Sequence, residues 1–468
     1  MYPLRKTKII CTIGPSTSSY EMLMKMYIAG MNVVRLNMSH GTHDSHEKVI
    51  RSIKKVNQKI KDSIPVILDL EGPEIRTGTL KHDLQLKEGD IITVSVGNED
   101  VETSSFSINY EDLINTLNEG DNITVDSGLI NLTILKKNRG TMECRVIDGG
   151  LLKSQSHVNL PGIRINLPSI TEHDKKHVLF GMEQEVDFIA LSFVREAKDV
   201  LELRELLGDK VNKIKIISKI EDREGVNNLD EIIDASDAVM VARGDLGIEI
   251  PLEELPNVQR TIVRKCQEKG KRVIVATHLL ESMIEHPIPT RAEVTDVANA
   301  VYSEVDAVML SGETAVGKYP IRCIENIDKI ARASEQLPGM NFSKNLIVSD
   351  IKQNVAASAV NLAESVDAKG ILVITRRGIM AQYLTNCRPF KTLIYAFTND
   401  NRTRRQLFLN RSMFAHRIAF SKDPEKTIQN ALVILRTREG FQPGDRVVVL
   451  SDIIAGAGID AIQIRTID

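Results

Sequence analysis

The sequence has 468 residues, of which 42% are hydrophobic, and its 60 basic side chains nearly balance its 63 acidic ones. This length predicts about three domains, and nothing in the charge balance indicates a nucleic-acid or membrane surface. No apolar run approaches the length of a membrane span, and we expect no signal peptide at the N-terminus. The five scattered cysteines form no CxxC pair, which predicts reduced thiols in a cytoplasmic protein.

Three strand candidates precede residue 70: Lys8–Ile13, Val33–Leu36 and Val66–Leu68. The helical stretch Glu21–Ala29 lies between the first two and ends at Gly30, a residue typical of helix ends. This alternation predicts a parallel α/β unit. The second and third strands lead into polar or charged residues, which include Arg35, Asn37, Ser39, His40 and Asp69.

The pattern changes between Gly78 and about Pro168. Short alternating runs such as IITVSV, NITV, INLTIL and MECRVI are separated there by glycine-containing turns, and a single short helix is expected at Glu111–Leu117. This pattern predicts a small antiparallel β domain inserted into the α/β domain.

A helical pattern resumes at Ser169, where Thr171 and Asp174 have the spacing of a weak capping box. Five more strand candidates follow, separated by helical stretches: Phe188–Leu191, Lys215–Ile217, Ala238–Val241, Val273–Ala276 and Ala307–Leu310. With the three earlier strands they make eight, the number that closes a (β/α)8 barrel.

Polar or charged side chains stand at the ends of all eight strands. In a barrel these ends meet at one mouth, where catalytic residues lie, so we expect Lys219, Glu221 and Asp245 to converge. Two carboxylates beside a lysine favour a hard metal ion and a phosphorylated or carboxylated substrate. Taken alone, the segment with Lys219 and Glu221, or the one with Asp245, could equally be a solvated loop. Eight polar strand ends together favour a functional rim.

A third pattern begins after about Asn341. Strand candidates at Ile371–Thr375, Leu393–Phe397, His416–Phe420 and Arg446–Leu450 alternate with helical stretches, and the strand-like IQIRTI follows them. This predicts a separate open α/β domain.

Segments along the whole chain resemble those of the pyruvate kinase family, in the family's order. They are CTIGPST, MNVVRLNMSHG, LDLEGPEIRTG, VDSGLI, IISKIEDREGVNNLDEI, VARGDLGIEIP, ATHLLESMI, PTRAEVTDVANAV and DAVMLSGETAVGKYP. The resemblance implies a (β/α)8 TIM barrel of residues 1–72 and 169–340, an inserted β-barrel lid of residues 73–168, and a C-terminal open α/β regulatory domain of residues 341–468.

The same resemblance implies an activity. Such an enzyme transfers a phosphoryl group from phosphoenolpyruvate to ADP, which gives pyruvate and ATP in the final step of glycolysis. It also implies a cytoplasmic homotetramer that uses Mg²⁺ (or Mn²⁺) and K⁺.

Roles for individual residues are implied as well. Glu221 and Asp245 would hold the divalent ion, and Lys219 would contact the transferring phosphoryl group. Further substrate contacts would come from Arg35, Arg76, Thr277 and the backbone N–H groups of Gly244 and Asp245. A threonine hydroxyl is a poor acid, so we expect the final proton to reach carbon through a water relay near Thr277.

Two other sets are implied by the resemblance alone. The potassium ligands would be Asn37, Ser39, Asp69 and the carbonyl of Leu70. The nucleotide side would be lined by Asn37, His40, Arg76 and His173.

Three positions depart from the pattern of the family, and a fourth predicts a cation requirement. Leu70 stands where threonine is common in the family, Glu71 where lysine or glutamine is frequent, and His173 where many members have lysine. Because histidine is only partly charged at neutral pH, nucleotide affinity could be weaker or more sensitive to pH. Glu74 accompanies dependence on a monovalent cation in this family, so we expect activity to require potassium.

The loop after the first strand of the C-terminal domain is the expected contact of a phosphorylated effector, if the protein has one. It contains Thr375, Arg376 and Arg377, whereas Ile379 and Met380 offer no hydroxyl groups for a sugar phosphate. We expect a phosphorylated effector to bind through the arginines and fructose 1,6-bisphosphate to be a weak activator. The alternative is a solvated loop.

Two rival functions stay open from the sequence. One is a barrel aldolase or lyase that uses Lys219 as a Schiff base, although nearby carboxylates would raise the lysine pKa rather than lower it. The other is a metabolite-binding protein without turnover, which the intact Glu221, Asp245 and Lys219 disfavour.

Overall fold

The computed structural model describes residues 4–97, 105–126, 128–163, 167–451 and 461–468. The first unit consists of β1 (Lys8–Thr12), α1 (Tyr20–Ala29), β2 (Val33–Asn37), α2 (His43–Asn57) and β3 (Val66–Asp69). Helix α1 begins one residue before the predicted start because the Ser19 side chain accepts a hydrogen bond from the backbone N–H of Met22.

An inserted β unit follows β3. Its elements are β4 (Leu84–Gln85), β5 (Ile91–Val96), β6 (Phe106–Ile108), α3 (Leu113–Thr116), β7 (Asn122–Val125), β8 (Ile130–Lys137), β9 (Thr141–Asp148), β10 (Leu151–Leu152) and β11 (Val158–Asn159). Six strands form a sheet in the order β11-β7-β8-β9-β5-β6, and β10 pairs with β4. The β5–β6 pair is parallel, unlike the antiparallel arrangement that we expected. The unit has its own apolar core, which includes Val94, Leu132 and Met142.

The chain then returns to complete the first unit. The elements are α4 (Glu172–Gln184), β12 (Phe188–Leu191), α5 (Ala197–Leu207), β13 (Lys215–Ile220), α6 (Arg223–Asn227), α7 (Leu229–Ala235), β14 (Ala238–Ala242), α8 (Arg243–Glu249), α9 (Leu255–Glu268), β15 (Arg272–Ala276), α10 (Arg291–Tyr302), β16 (Ala307–Leu310), α11 (Gly312–Ala315) and α12 (Pro320–Ser334). Eight parallel strands close into a barrel in the order β1-β16-β15-β14-β13-β12-β3-β2. The Thr171–Asp174 capping box at the start of α4 is present as predicted.

Alternation along the barrel strands decides which side chains reach the mouth. Ile10, Ile67 and Ile217 belong to the apolar cluster inside the barrel, whereas their neighbours on each strand face the surrounding helices. Two residues further along the same strand faces come Thr12, Asp69 and Lys219, at the carboxyl ends. These polar side chains therefore continue the interior face of the barrel.

Strand β13 is longer than predicted. Lys219 and Ile220 pair with Met240 and Val241 of β14, so the strand runs three residues beyond Ile217. Lys219 consequently lies within the barrel wall and not in a loop after it.

The C-terminal unit has a five-stranded sheet. Its elements are α13 (Ile351–Ser365), β17 (Gly370–Ile374), α14 (Ile379–Asn386), β18 (Leu393–Thr398), α15 (Asn401–Leu407), β19 (Met413–Arg417), α16 (Pro424–Arg438), β20 (Arg446–Ser451) and β21 (Ala461–Thr466). The strand order is β19-β18-β17-β20-β21, with β21 antiparallel to β20. The predicted strand His416–Phe420 was placed three residues too late, because Met413 to Arg417 pair with β18.

Three 3₁₀ turns complete the elements: Gly208–Lys210, Glu281–Ile284 and Phe342–Asn345. The closed eight-stranded barrel, the inserted β unit and the C-terminal α/β unit confirm the predicted fold class. The domain limits after residues 72, 168 and 340 stay predictions. Within the described ranges, every helix is too short or too polar to span a membrane.

Candidate active site

Lys219 is the centre of a buried polar group at the mouth of the barrel. Its Nζ lies 3.0 Å from Oε1 of Glu221 and 3.3 Å from Oδ1 of Asp69, and it donates a hydrogen bond of 2.7 Å to the Ser192 hydroxyl. The side chains of Glu221 and Asp69 are 1% and 0% exposed, so these interactions are shielded from solvent. The geometry fixes one positive charge between two carboxylates.

Arg35 supplies a second cation beside Lys219. Its Nε donates to Oδ2 of Asp69 at 2.6 Å, and its Nη1 donates to the Thr12 hydroxyl at 3.0 Å. Nη2 has no hydrogen-bond partner within the described ranges, so it can bind an oxygen of a substrate. Burial alone would raise the pKa of Asp69, but the charges of Lys219 and Arg35 outweigh burial and lower it.

The surroundings keep Lys219 charged, but they stabilise the ionised form of Glu221 incompletely. Burial alone would lower the pKa of Lys219, yet the charges of Asp69 and Glu221 hold it above its usual range. Burial raises the pKa of Glu221 to about 7, because the Lys219 charge offsets only part of the lost solvation and Asp245 adds a like charge. A cation bound beside Glu221 would stabilise its ionised form against the lost solvation and the like charge of Asp245.

Glu221 and Asp245 have the chemistry of a hard-cation site. Oε2 of Glu221 accepts the backbone N–H of Phe193 at 2.7 Å, which holds the carboxylate in place. Asp245 lies in the first turn of α8, half-buried, and accepts no hydrogen bond from the residues that the structure describes. Two oxygen ligands, one of them without a protein partner, fit a divalent ion such as Mg²⁺.

Thr277 lies at the end of β15 in a strained backbone conformation. Its φ is 64° and that of His278 is 51°, values that non-glycine residues rarely adopt. The Thr277 hydroxyl accepts the backbone N–H of Gly244 at 2.8 Å and donates to the carbonyl of Ala276 at 2.7 Å. The sequence-predicted cradle of Thr277 and Gly244 is thus brought together, with its groups hydrogen-bonded to protein atoms.

The residues predicted for potassium also lie together. Asn37 is the register partner of Asp69, and its Oδ1 accepts the Ser39 N–H at 3.4 Å. The Leu70 carbonyl accepts a hydrogen bond of 2.7 Å from Ser192 and keeps a second lone pair. Oδ1 of Asp69 is buried, and its partner among the described residues is the Lys219 ammonium at 3.3 Å. A buried carboxylate oxygen with this single long contact, near other oxygen atoms, fits a monovalent cation.

Three predicted residues are not hydrogen-bonded to this group in the described part of the chain. Arg76 belongs to the inserted unit, where it pairs with Glu74 and donates to the Gln155 carbonyl at 2.9 Å. His40 is exposed. Nδ1 of His173 lies 3.2 Å from Oε2 of Glu71, so two of the positions that depart from the family contact each other.

Comparison with known proteins identifies the family. Residues 4–324 match the model described as pyruvate kinase, barrel domain, and residues 353–464 match that of the pyruvate kinase alpha/beta domain. The chain belongs to the pyruvate kinase family. Pyruvate kinase isozyme G, chloroplastic, of Nicotiana tabacum is 43% identical over 451 residues, which cover 95% of this chain and 80% of the relative. The pyruvate kinase of Clostridium perfringens is 41% identical over 460 residues, which cover 95% and 96%.

Membership in the pyruvate kinase family makes this chain an enzyme. It is a phosphotransferase of glycolysis that transfers a phosphoryl group from phosphoenolpyruvate to ADP. The family as a whole implies a divalent metal ion and a monovalent cation. The rival function of a metabolite-binding protein without turnover is thereby set aside.

Two neighbours of the Lys219 group were not predicted from the sequence. Ser192 contacts both Lys219 and the Leu70 carbonyl, and the Phe193 N–H binds Glu221. The position of Ser192 at a strand end was the available signal. A backbone N–H leaves no signal in a sequence, so the contact of Phe193 could not be predicted.

Proposed function

We propose that the group around Lys219 carries out phosphoryl transfer. The observation that supports this most strongly is the buried ammonium of Lys219, held by Glu221, Asp69 and Ser192 at the mouth of the barrel. A loose phosphoryl-transfer transition state spreads negative charge over the equatorial oxygens, and fixed cations stabilise it without reorganisation.

In the reaction, the bond between phosphorus and the enol oxygen of phosphoenolpyruvate breaks as an oxygen of the ADP β-phosphate bonds to phosphorus. Lys219 contacts the transferring group, and Arg35 binds a phosphate oxygen through its free Nη2. Asp69 bonds to Arg35 and contacts Lys219, so it orients both cations. The products are ATP and the enolate of pyruvate.

Two ions complete the charge balance. We assign the divalent ion, Mg²⁺ or Mn²⁺, to Glu221 and Asp245, and it supplies charge stabilisation to phosphoryl and enolate oxygens when bound. We assign K⁺ to Asn37, Ser39, Asp69 and the Leu70 carbonyl. The support is the cluster of oxygen atoms beside the buried Asp69 carboxylate, to which Asn37 and the Leu70 carbonyl contribute.

We assign the substrate carboxylate to Thr277 and the N–H groups of Gly244 and Asp245. The hydrogen bond between Thr277 and Gly244 places these groups next to each other, and the carboxylate binds as their hydrogen bonds to protein atoms are exchanged for bonds to its oxygens. Because the Thr277 hydroxyl donates its proton to Ala276, a water molecule near Thr277 is the better donor for the final protonation at carbon.

We assign the nucleotide side to Asn37, His40, Arg76 and His173. Nδ1 of His173 lies 3.2 Å from Oε2 of Glu71, the residue that follows Leu70 of the assigned K⁺ site, which supports the place of His173 at the edge of the cleft. A Schiff-base mechanism is disfavoured, since the carboxylates around Lys219 raise its pKa and keep the amine protonated.

A coupled assay for pyruvate with phosphoenolpyruvate, ADP, Mg²⁺ and K⁺ tests the function. Borohydride with pyruvate provides the matched test of the rival mechanism, since it traps a Schiff base at Lys219 irreversibly. Turnover that needs ADP and leaves no trapped adduct supports the assignment; a trapped adduct with ADP-independent turnover contradicts it.

We also propose a phosphorylated effector for the loop that contains Thr375, Arg376 and Arg377. The Thr375 hydroxyl accepts the N–H of Gly378 at 3.1 Å and so stabilises the loop, while both arginines are exposed. Thr375 is buried, so the two exposed arginines are the groups of this loop that we assign to the anion. We expect fructose 1,6-bisphosphate to change half-saturation by phosphoenolpyruvate little, and a large decrease would overturn this part of the proposal.

A cytoplasmic homotetramer completes the proposal. All five cysteines are free, which suits a reducing compartment. Light scattering measures the assembly. Cell fractionation measures the location, and it is needed because relatives from plants are named as plastid enzymes.

A further inference from the structure

Three metal-ligating side chains meet outside the Lys219 group. Glu71, His173 and His177 each place one ligand atom so that all three atoms lie within 4.8 Å of one another. The two histidines are four residues apart on α4 and therefore share one face of the helix. Glu71 comes from the segment that leads from β3 into the inserted unit. Helix and segment thus present their ligands to one point.

His177 also carries a buried ring nitrogen that is available to a ligand. The residue is 4% exposed, and its Nε2 is buried without a hydrogen-bond partner among the described residues. Its Nδ1 lies 2.8 Å from Nε2 of His43, whose ring stacks on Phe180. When His43 accepts this hydrogen bond, the lone pair of His177 is on Nε2, as in metal-binding histidines.

We propose that Glu71, His173 and His177 bind a transition-metal ion, with Zn²⁺ as the best match. Two imidazoles and one carboxylate form a known zinc ligand set that leaves the fourth position open. Tetrahedral ligands stand about 3.3 Å apart, and Oε2 of Glu71 lies 3.2 Å from Nδ1 of His173. The exposed side chain of His173 can move toward His177, and the half-buried Glu71 side chain can follow it. Imidazole ligands also separate this site from the all-carboxylate pair Glu221 and Asp245, which suits Mg²⁺.

An ion at this site would link the start of α4 to the segment that leads into the inserted unit. The N–H groups of Glu71 and Gly72 both lie 3.2 Å from Oδ1 of Asp174, so the start of α4 already holds the segment that leads to the inserted unit. A metal ion shared by Glu71 and α4 adds a second link at the same place. Zinc therefore restrains this connection between the barrel and the inserted unit.

Zinc binding is measured on the full chain after removal of metals, by competition with a chromogenic chelator. Saturating Mg²⁺ and K⁺ fill the carboxylate sites, and nucleotide is left out because it chelates zinc. We expect one ion per chain, with affinity at least about a hundredfold lower in His177→Ala and at least about tenfold lower in Glu71→Gln. His43→Phe keeps a ring stacked on Phe180 but removes the acceptor of His177, and we expect about a tenfold loss.

The matched control is His278→Ala. His278 is exposed and lies 3.5 Å from Glu281, a histidine–glutamate pair without a third ligand in the described part of the chain. This variant should keep the wild-type affinity. Cobalt in place of zinc should give visible absorption without a near-ultraviolet thiolate band, which separates the site from the cysteines.

Two results would overturn the proposal. One is a wild-type chain that binds no stoichiometric zinc in the presence of Mg²⁺. The other is unchanged zinc affinity in Glu71→Gln. Glu71 is half-buried, so this substitution leaves the core intact, and it tests the site even if His177→Ala fails to fold. Either result leaves the three residues as an ordinary histidine–glutamate cluster.

Discussion

Replacement of Lys219 by methionine removes the ammonium group and keeps a side chain of similar length. At an effective dielectric constant of about 20, attraction across 3.0 Å to Glu221 and across 3.3 Å to Asp69 amounts to about 5 kcal/mol each. Desolvation of the buried lysine cancels much of this, and the loss of one partner of a buried pair costs about 3–5 kcal/mol of folding free energy. Arg35 still compensates Asp69, so we expect the lower end of this range.

The catalytic effect should be larger than the loss of stability suggests. Removal of one preorganised donor at a developing charge lowers kcat by about 10²–10³, and Lys219 contributes a full charge in a buried site. The pKa of Lys219 is raised, so its stabilising effect is complete below about pH 10.4, the unfolded value, and is lost only as pH rises through the higher folded value. At pH 7.5 the variant therefore lacks the whole contribution.

The assay measures pyruvate formation at saturating phosphoenolpyruvate and ADP, with circular dichroism and thermal unfolding on the same samples. Lys215→Met is the matched control, since Lys215 lies on the same strand and pairs at 3.0 Å with the partly exposed Asp237. We expect it to stay within a few-fold of wild type, since such pairs contribute about 0–1 kcal/mol. Activity of folded Lys219→Met within tenfold of wild type would refute the proposed role of Lys219.

Other predictions follow from neighbouring groups. Glu221→Gln and Asp245→Asn should each weaken Mn²⁺ binding at least about tenfold, as followed by the paramagnetic signal of free Mn²⁺; unchanged affinity in both variants would exclude the divalent site. The initial rate in tetramethylammonium buffer should depend on added KCl at constant ionic strength, and equal rates would show that no monovalent ion is needed. Glu74→Lys should relieve that requirement, since Glu74 now neutralises Arg76 and a lysine would add positive charge. Glu249 accepts a hydrogen bond from Asn159 in the inserted unit, and burial raises its pKa to about 7. The folded state therefore binds this proton more tightly than the unfolded state, and stability falls as pH rises from about 4.5 through 7. Glu249→Gln should gain thermal stability relative to wild type between pH 5 and pH 8; a pH-independent difference would contradict this reasoning.

The sequence by itself determined the fold class and much of the group that we propose to be catalytic. Strands and helices alternate with the local periods that their side chains impose, so eight barrel strands could be counted. Polar residues at the strand ends then indicated a shared mouth, because closure of a parallel barrel brings all carboxyl ends together. Lys219, Glu221 and Asp245 were found in this way, and the resemblance added their roles.

Only the tertiary structure decided which distant residues touch. Lys219 lies inside the barrel wall because β13 pairs with β14 up to Ile220. Strand β19 begins three residues before the predicted strand because Met413 already pairs with β18. The contact of Glu71 with His173 joins residues that are 102 positions apart, and that of His43 with His177 joins residues 134 positions apart. Local periodicity contains no information on such pairs. The Glu71–His173 contact results from the position of α4 beside the segment after β3, and the His43–His177 contact from the packing of α2 against α4. The candidate zinc site therefore became visible only in three dimensions.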